Sequence, residues 1–306
     1  MKKPMKSYAE RLLEGLDEIT ALMDELLDAS TINFVPNRAR RELARTGVAI
    51  LCLADGQWGP SNTEQERLQR VLLERWNPWL EQVQLLLSED TKRRQRKLKQ
   101  SAAAIEDWMQ RGKYWVSLPP TIPEAKQAFR REVSELAELF SGMNDGNRRV
   151  VVVPDTNVLL RCPDVTGYAE VLGTRAFTVL LVPGVLGELD SHKVNHKNQD
   201  VREKAQKFTN RVKGWRNQGS LSNGVRVQGD VYVQVEGREP DMTKTLQWLQ
   251  VDVMDDRIIA SVLEVQRRAP ADCVVLLTGD TLMLAKADAA SIPTADLPDP
   301  SPSPLP

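Results

Sequence analysis

The stretch that decides the fold is Val150-Val151-Val152-Val153-Pro154-Asp155-Thr156-Asn157. Its four consecutive valines are apolar and β-branched, and such a short run predicts a strand buried on both faces, as in a parallel sheet. The run leads directly to an acidic residue, Asp155. Because ligands of open α/β sheets bind beyond the carboxyl ends of the strands, we expect the Asp155 side chain at a binding edge.

Acidic residues accompany three further apolar runs in the same part of the chain. Glu188 follows the run 178–182, Asp280 follows the run 274–277, and an Asp-Asp pair at 255–256 opens the third run. A fold that gathers these carboxylates brings like charges together, which is costly unless a cation neutralises them. Hard divalent ions prefer oxygen ligands, and Mg²⁺ needs only a few carboxylates with waters and a phosphate. The pattern therefore predicts a divalent metal site.

The composition excludes several classes of protein. The chain of 306 residues has room for two domains, and its net charge of -1 carries no overall signal for nucleic acid. The three cysteines lack the spacing of a zinc cluster and favour a reducing compartment. No apolar run approaches membrane-spanning length, and the first residues lack the apolar core of a signal peptide. We therefore expect a cytoplasmic protein without a membrane segment.

Residues 1–143 predict an all-helical domain. Apolar side chains keep helical spacing in four segments, which lie near 12–27, 63–87, 92–111 and 123–140. Pro78 is expected to kink the second helix or to divide it. The apolar faces suffice for a separate core, and we expect this domain to bind a protein partner or regulator.

The turn-rich segment 141–147 marks the domain boundary. From 147 to 297, strands and helices alternate, which predicts an α/β domain with a parallel sheet. We expect strands near 149–153, 177–182 and 273–278, an exposed edge hairpin within 225–235, and helices at 198–218, 255–268 and 281–290. The Pro/Ser-rich tail 298–306 predicts disorder.

Four motifs between about 149 and 297 resemble, in order, the acidic motifs of PIN-domain nucleases. They are Val152–Leu159 with Asp155-Thr156-Asn157, Val182–Lys193 with Glu188-Leu189-Asp190, Asp255–Ala260, and Leu277–Asp280 with Lys286-Ala287 downstream. One motif alone is a weak signal, but four in the family's order are a strong one. The resemblance implies a three-layer PIN-like α/β fold with a parallel central sheet. The N-terminal half resembles no family.

The resemblance also implies the activity of a metal-dependent endoribonuclease, which cleaves single-stranded RNA with a water activated by Mg²⁺ or Mn²⁺. Carried over position by position, the catalytic and metal-binding acids are Asp155, Glu188, Asp256 and Asp280. The candidates for substrate binding are Thr156, Asn157, Lys193, Lys197 and Thr278, and the auxiliary candidates are Asp190 and Asp255. Leu282 departs from the family pattern, because many relatives carry a polar residue two places after the last Asp.

The acids also have structural interpretations. Asp155, Asp256 and Asp280 each precede or open a helix, and Asp is a favoured N-cap. A structural role for all four acids in family order is the less favoured interpretation. Either member of the pair Asp255-Asp256 could face the site, and the spacing to Ile-Ile-Ala favours Asp256. Asp190 is more readily structural than a ligand.

Two basic stretches admit more than one role. The run after Glu188, which contains Lys193 and Lys197, fits a solvated helix face and phosphate contact equally well. The denser run 92–97 is foremost a solvated helix, ahead of a surface for RNA or an acidic partner. His192 and His196 have a spacing that suits metal, but without a third ligand we expect contact with solvent or phosphate rather than zinc.

Two other functions remain as alternatives. A strand that ends in Asp and a later Thr-Gly-Asp also resemble haloacid-dehalogenase-like phosphatases. That class needs a second Asp two residues after its nucleophile, where Asn157 stands. The non-enzymatic alternative is a degenerate RNA-binding scaffold, and intact acids in all four motifs weigh against it.

Overall fold

The computed structural model describes residues 5–34, 56–111, 118–143 and 148–297. The chain divides into two compact units, Ala9–Met143 and a second unit that joins Met1–Tyr8 to Asn144–Pro306. The predicted disordered tail 298–306 lies outside the described residues, as does part of the predicted boundary at 141–147. In the described parts, none of the helices combines the length and apolar character needed to cross a bilayer.

In its described residues the first unit contains four long helices, as the apolar periodicity predicts. They are α1 (Tyr8–Asp28), α2 (Thr63–Leu86), α3 (Lys92–Met109) and α4 (Ile122–Ala137). The helix α2 continues through Pro78 and is not divided there. A short antiparallel ladder of β1 (Ile32–Phe34) and β2 (Gly56–Trp58) also belongs to this part of the chain. Each of its strands has three residues, too few for a periodic signal, and the sequence analysis did not predict it.

Tryptophans fill the core of the helical unit. Trp76 and Trp79 stack with ring centroids 5.2 Å apart, one turn apart on α2. The indole of Trp79 donates a hydrogen bond of 2.7 Å to the Leu12 carbonyl, and that of Trp76 donates one of 3.0 Å to Glu106. These bonds satisfy the buried polar ends of the rings, so the aromatic surface can be removed from water without an unpaired donor.

A six-stranded sheet forms the centre of the second unit. Its strands are β3 (Val150–Pro154), β4 (Ala176–Leu181), β5 (Val225–Gln228), β6 (Asp230–Val235), β7 (Cys273–Leu277) and β8 (Thr294–Ala295), in the order β5-β6-β4-β3-β7-β8. All pairs are parallel except β5 with β6. The predicted parallel sheet with an edge hairpin is therefore confirmed. All five residues of β7 are buried, as expected for a central strand covered on both faces.

The helices of the second unit alternate with these strands. They are α5 (Thr156–Arg161), α6 (Tyr168–Leu172), α7 (Pro183–Asn195), α8 (Gln199–Arg216), α9 (Met254–Arg268) and α10 (Thr281–Ala289). The three predicted helices correspond to α8, α9 and α10 within two residues at each end. The mixed α/β fold with a largely parallel central sheet is consistent with the predicted PIN-like fold.

The parallel strands place their carboxyl ends at one edge of the sheet. Asp155 follows β3, α7 with Glu188 follows β4, and Asp280 follows β7. The backbone amide of Asp155 donates a hydrogen bond of 2.9 Å to the Leu277 carbonyl, which continues the ladder between β3 and β7 to the edge. Sheet topology therefore brings together acids that lie 125 residues apart in sequence, from 155 to 280.

Candidate functional site

Asp155 caps the helix α5 and is 3% exposed. Its Oδ1 accepts a hydrogen bond of 2.6 Å from the backbone amide of Val158, and its Oδ2 accepts one from the Thr278 hydroxyl. The N-cap interpretation of this residue is therefore correct. It does not compete with metal binding, because each carboxylate oxygen has a further lone pair.

Burial raises the pKa of the Asp155 carboxyl above its ordinary value. The hydrogen bonds from Thr278 and Val158 oppose this shift, and the nearby charges of Glu188 and Asp280 add to it. Glu188 and Asp280 thus each lie close enough to Asp155 to repel its carboxylate. A cation at this edge would relieve that repulsion.

Glu188 is positioned by a close approach of two helices. A Cβ atom added to Gly184 on α7 would lie 3.0 Å from Ile258 and 3.2 Å from Met254, so a larger residue would require these side chains of α9 to shift. Glu188 lies about one turn further along α7, and its Oε2 accepts a hydrogen bond of 2.5 Å from the Thr156 hydroxyl. Since Thr156 is the first residue of α5, this bond also ties α7 to the helix that Asp155 caps.

Thr278 links the first and last acids of the site. Its hydroxyl donates to Asp155 and accepts a hydrogen bond of 3.1 Å from the backbone amide of Asp280. Asp280 in turn caps α10 by accepting a bond of 2.9 Å from the Met283 amide. The Thr278 side chain is fully buried, so its contacts are with the protein and it positions acids rather than substrate.

The two adjacent aspartates at the start of α9 have different surroundings. Asp256 is 4% exposed, and its Oδ2 accepts a hydrogen bond of 2.9 Å from the Gln250 amide. Its Oδ1 has no aligned hydrogen bond but lies 2.6 Å from the ammonium group of Lys286. Both oxygens of Asp256 are thus engaged by the protein, and its charge is compensated by Lys286.

Asp255 is half-buried and shares its surroundings with the other acids. Its carboxylate lies 3.9 Å from Lys286. Burial raises the pKa of Asp255, Lys286 opposes the shift, and the charges of Asp280, Glu188 and Asp256 add to it. Electrostatic repulsion therefore groups Asp255 with Glu188 and Asp280, whereas the spacing in the sequence favoured Asp256.

The remaining predicted residues lie at the surface near these helices. Asn157 is exposed at the start of α5, and Lys197 is exposed beyond the end of α7. Asp190 and Lys193 form an ion pair of 2.7 Å with each other, so neither is a free ligand, and this favours the structural role of Asp190. Leu282, at the position where many relatives are polar, is 58% exposed.

Two contributors to the site were not assigned a role from the sequence. Lys286 is the cation that faces the Asp255-Asp256 pair, although its position three residues before the end of α10 gives no indication of that role in the sequence. Asp296 follows β8, and Gly279 packs against it, because a Cβ atom there would lie 3.0 Å from Asp296 Oδ1. Asp296 also pairs with Arg161 at 3.3 Å. The strand β8 has two residues, too few to be recognised from periodicity.

The donor chemistry suits a hydrated hard cation rather than zinc. Within the described residues, no group of three His, Cys, Asp or Glu side chains could hold a metal ion by itself. His192 and His196 stack edge to face with centroids 5.1 Å apart. Mg²⁺ retains several waters and commonly uses one or two carboxylates with a substrate phosphate. The mutually repelling acids at the sheet edge fit that mode of binding.

Comparison with known proteins identifies the second unit. A family model described as PIN domain matches residues 152–298. No family model matches the N-terminal region. No curated protein matches the chain. The match covers all four acidic motifs.

Proposed function

We propose that this chain, whose residues 152–298 match the PIN-domain family model, is a metal-dependent endoribonuclease that cleaves single-stranded RNA. PIN domains are generally metal-dependent nucleases. One observation carries the proposal: at the carboxyl edge of the sheet, the Thr278 hydroxyl contacts both Asp155 and the Asp280 amide, and Thr156, on the helix that Asp155 caps, binds Glu188. Carboxylates placed so closely favour a bound divalent cation.

Mg²⁺ or Mn²⁺ would be held by one or two of the carboxylates of Asp155, Glu188, Asp255 and Asp280, with waters and a substrate phosphate as the other ligands. When bound, the ion would supply Lewis acidity and an activated water for attack on a phosphodiester. Thr156 orients the Glu188 carboxylate, and Thr278 orients that of Asp155. Lys286 neutralises the buried Asp256 and leaves Asp255 to face the other acids. We therefore assign the acidic position of the third motif to Asp255 and a positioning role to Asp256.

Outside the metal site, the basic residues without an acidic partner are the candidates for contact with the RNA phosphates. Lys193 and Lys204 are paired with Asp190 and Asp200 at 2.7 Å each. Lys197 and Lys207 are exposed and, within the described residues, have no acidic partner. These two lysines, near the end of α7 and in the middle of α8, are the preferred candidates. Asn157 is the preferred polar contact near the acids.

Cleavage by the full chain tests the proposal directly. Labelled single-stranded RNA is incubated with the wild-type protein in Mn²⁺ and in excess EDTA. The variant Asp155→Asn keeps a good N-cap but removes a charge, so we expect intact folding and a loss of rate on the order of 100-fold or more. The matched control is Asp164→Asn, since Asp164 caps the turn at Val165–Gly167 outside the acidic cluster. Wild-type cleavage that persists in EDTA contradicts the metal mechanism.

The same assay separates the two alternative functions. A phosphatase would turn over a small phosphoester such as p-nitrophenyl phosphate and leave RNA intact. A degenerate scaffold would bind RNA in both Mn²⁺ and EDTA without cleaving it. The preservation of acids at each motif, with their raised pKa values at Asp155 and Asp255, supports turnover over mere binding.

A further inference from the structure

The exposed side of α3 carries a dense group of cations that the PIN-like unit does not use. Four residues define this α3 cationic ridge: Lys92, Arg93, Arg96 and Lys99, all of which are exposed. The opposite side of the helix packs into the core through Leu98, Ile105 and Trp108. From Lys92 to Ile105 the helix contains no acidic residue. The ridge is therefore a positively charged surface without interspersed acids. The packing of the opposite, buried face fixes the position of the helix that carries it.

Neighbouring cations are paired, in contrast to the ridge. Arg94 forms an ion pair of 2.5 Å with Asp90, and Lys97 forms one of 2.6 Å with Glu138. Elsewhere in the helical unit, cations such as Arg67, Lys126 and Arg130 each have an acidic partner. Among the residues that the structure describes, the four ridge cations have none.

The four ridge cations lie at positions on α3 where positive charge is electrostatically unfavourable. Lys92 and Arg93 lie in the first turn, which holds no acid and where the positive end of the helix dipole disfavours cations. Arg96 lies three and four residues from Arg93 and Lys92 and three residues from Lys99, spacings at which like charges on a helix repel. The arrangement lowers the stability of the free protein, and a bound polyanion would reverse both unfavourable effects.

We propose that the α3 cationic ridge binds the phosphates of single-stranded RNA. The choice of RNA as the polyanion rests on the proposed function. Lys92, Arg96 and Lys99 follow one side of the helix over about two turns, roughly 10 Å, so that they can contact successive phosphates of an extended strand. The positive end of the helix dipole would add to the attraction. Such contacts are independent of base sequence and raise affinity for any single strand.

The salt dependence of RNA binding tests the ridge. Binding of a labelled single-stranded RNA to the full chain is measured in EDTA, which prevents cleavage, over a range of salt concentrations. The quadruple variant Lys92→Gln, Arg93→Gln, Arg96→Gln, Lys99→Gln keeps residues of good helix propensity. Each lost phosphate contact reduces the log–log slope by roughly 0.7, so we expect a reduction of about 2 to 3. At low salt the variant should also melt at a higher temperature, because the repulsion is gone.

The matched control removes four cations that have acidic partners. Arg67→Gln, Lys126→Gln, Arg130→Gln and Arg268→Gln change the net charge equally but leave the ridge intact. The control should keep the wild-type slope. An unchanged slope in the ridge variant, or an equal reduction in both variants, overturns the proposal.

Two further outcomes are informative in the same experiment. If the ridge variant loses binding to polyglutamate but keeps the wild-type RNA slope, the ridge is a surface for an acidic protein and the RNA proposal is wrong. Cleavage in Mn²⁺ reports on the proposed function separately. If the wild-type protein binds RNA through the ridge but never cleaves it, the result supports RNA binding by the ridge and contradicts the proposed nuclease activity.

Discussion

At the scale of single residues, one carboxylate serves both the fold and the site. Asp155 caps α5 through the Val158 amide and is held from the other side by the Thr278 hydroxyl. Its capping role therefore fixes the direction of its carboxylate toward the edge where Glu188 and Asp280 also act on it. Structural and functional interpretations of such an acid are not exclusive, since the cap supplies the rigidity that a metal ligand needs.

The same substitution at the adjacent aspartates of α9 is expected to have different effects on metal affinity and stability. We expect Asp255→Asn to reduce Mn²⁺ affinity by about 10- to 100-fold, with metal-free stability unchanged or higher, because a carboxylate in a field of like charges is removed. We expect Asp256→Asn to lower the free energy of unfolding by about 2–3 kcal/mol, because Lys286 then loses its buried partner. Calorimetric titration with Mn²⁺ and urea unfolding measure the two effects.

The two variants control for each other, since they make the same chemical change one residue apart. If Asp256→Asn loses Mn²⁺ binding while its stability stays that of the wild type, the assignment of roles is reversed. In that case the Lys286 ammonium must leave Asp256 when metal binds.

At the scale of elements, the approach of α7 to α9 at Gly184 sets the distance between Glu188 and the Asp255-Asp256 pair. In Gly184→Ala, the added Cβ atom meets Ile258 and Met254. Overpacking costs about 1–3 kcal/mol, and the better helix propensity of Ala returns up to about 1 kcal/mol. We therefore expect a net loss of stability and a weaker Mn²⁺ site, measured by urea unfolding and metal titration.

Gly187 on the same helix supplies the control. A Cβ atom at Gly187 meets nothing within 4 Å. Gly187→Ala should therefore raise the free energy of unfolding by up to about 1 kcal/mol and leave metal affinity unchanged. Equal behaviour of the two variants would show that the close helix contact does not position the acids.

At the scale of the whole molecule, the buried acids make the free energy of unfolding of the metal-free protein depend on pH. Their contribution to stability decreases as pH rises, whereas that of most carboxylates increases. The pKa values of Asp155 and Asp255 are raised in the folded protein. Between the ordinary value and the raised one, the folded state binds more protons than the unfolded state, so their contribution to stability falls as pH rises. We expect Asp155→Asn to gain stability relative to the wild type as pH rises through this window.

Thermal melts of both proteins in EDTA, from about pH 4 to pH 8, measure this difference. Added Mn²⁺ should reverse the sign for the wild type alone, because the metal requires deprotonated carboxylates. A difference between the two proteins that is constant over the pH range would mean that the Asp155 carboxyl is not perturbed.

The division into two units leads to a prediction about fragments. The N-terminal segment belongs to the PIN-like unit: the Met5 carbonyl accepts hydrogen bonds from Arg148 and, at 3.1 Å, from the Cys273 thiol. A fragment that begins near Asn144 should fold and bind Mn²⁺ but lose about 1–2 kcal/mol of stability with these contacts. Residues 1–8 attached through a flexible linker should restore it.

Urea unfolding of the two fragments measures the effect. If the shorter fragment is insoluble and becomes soluble only on co-expression with residues 1–143, the two halves form one structural unit. The proposed domain division would then be wrong.

The sequence by itself determined the elements of the PIN-like unit and the order of its acids. The valine run of β3, the apolar run of β7 and the amphipathic helices α8 and α9 have periodicities that local chemistry dictates. Apolar runs that end in acids also implied the edge of the sheet as the site, because parallel strands share that edge. Short elements such as β1, β2 and β8 could not be predicted from the sequence, since they form only by pairing with distant segments.

Only the tertiary structure decided which side chains face one another. Adjacent residues on a helix point about 100° apart, so the roles of Asp255 and Asp256 depend on where α9 packs and not on spacing in the sequence. Lys286 became the partner of Asp256 because α10 places it beside α9. The Thr278 hydroxyl joined Asp155 to Asp280 because β3 and β7 are paired to their ends. These contacts bridge segments far apart in the chain, and packing alone brings them within hydrogen-bonding distance.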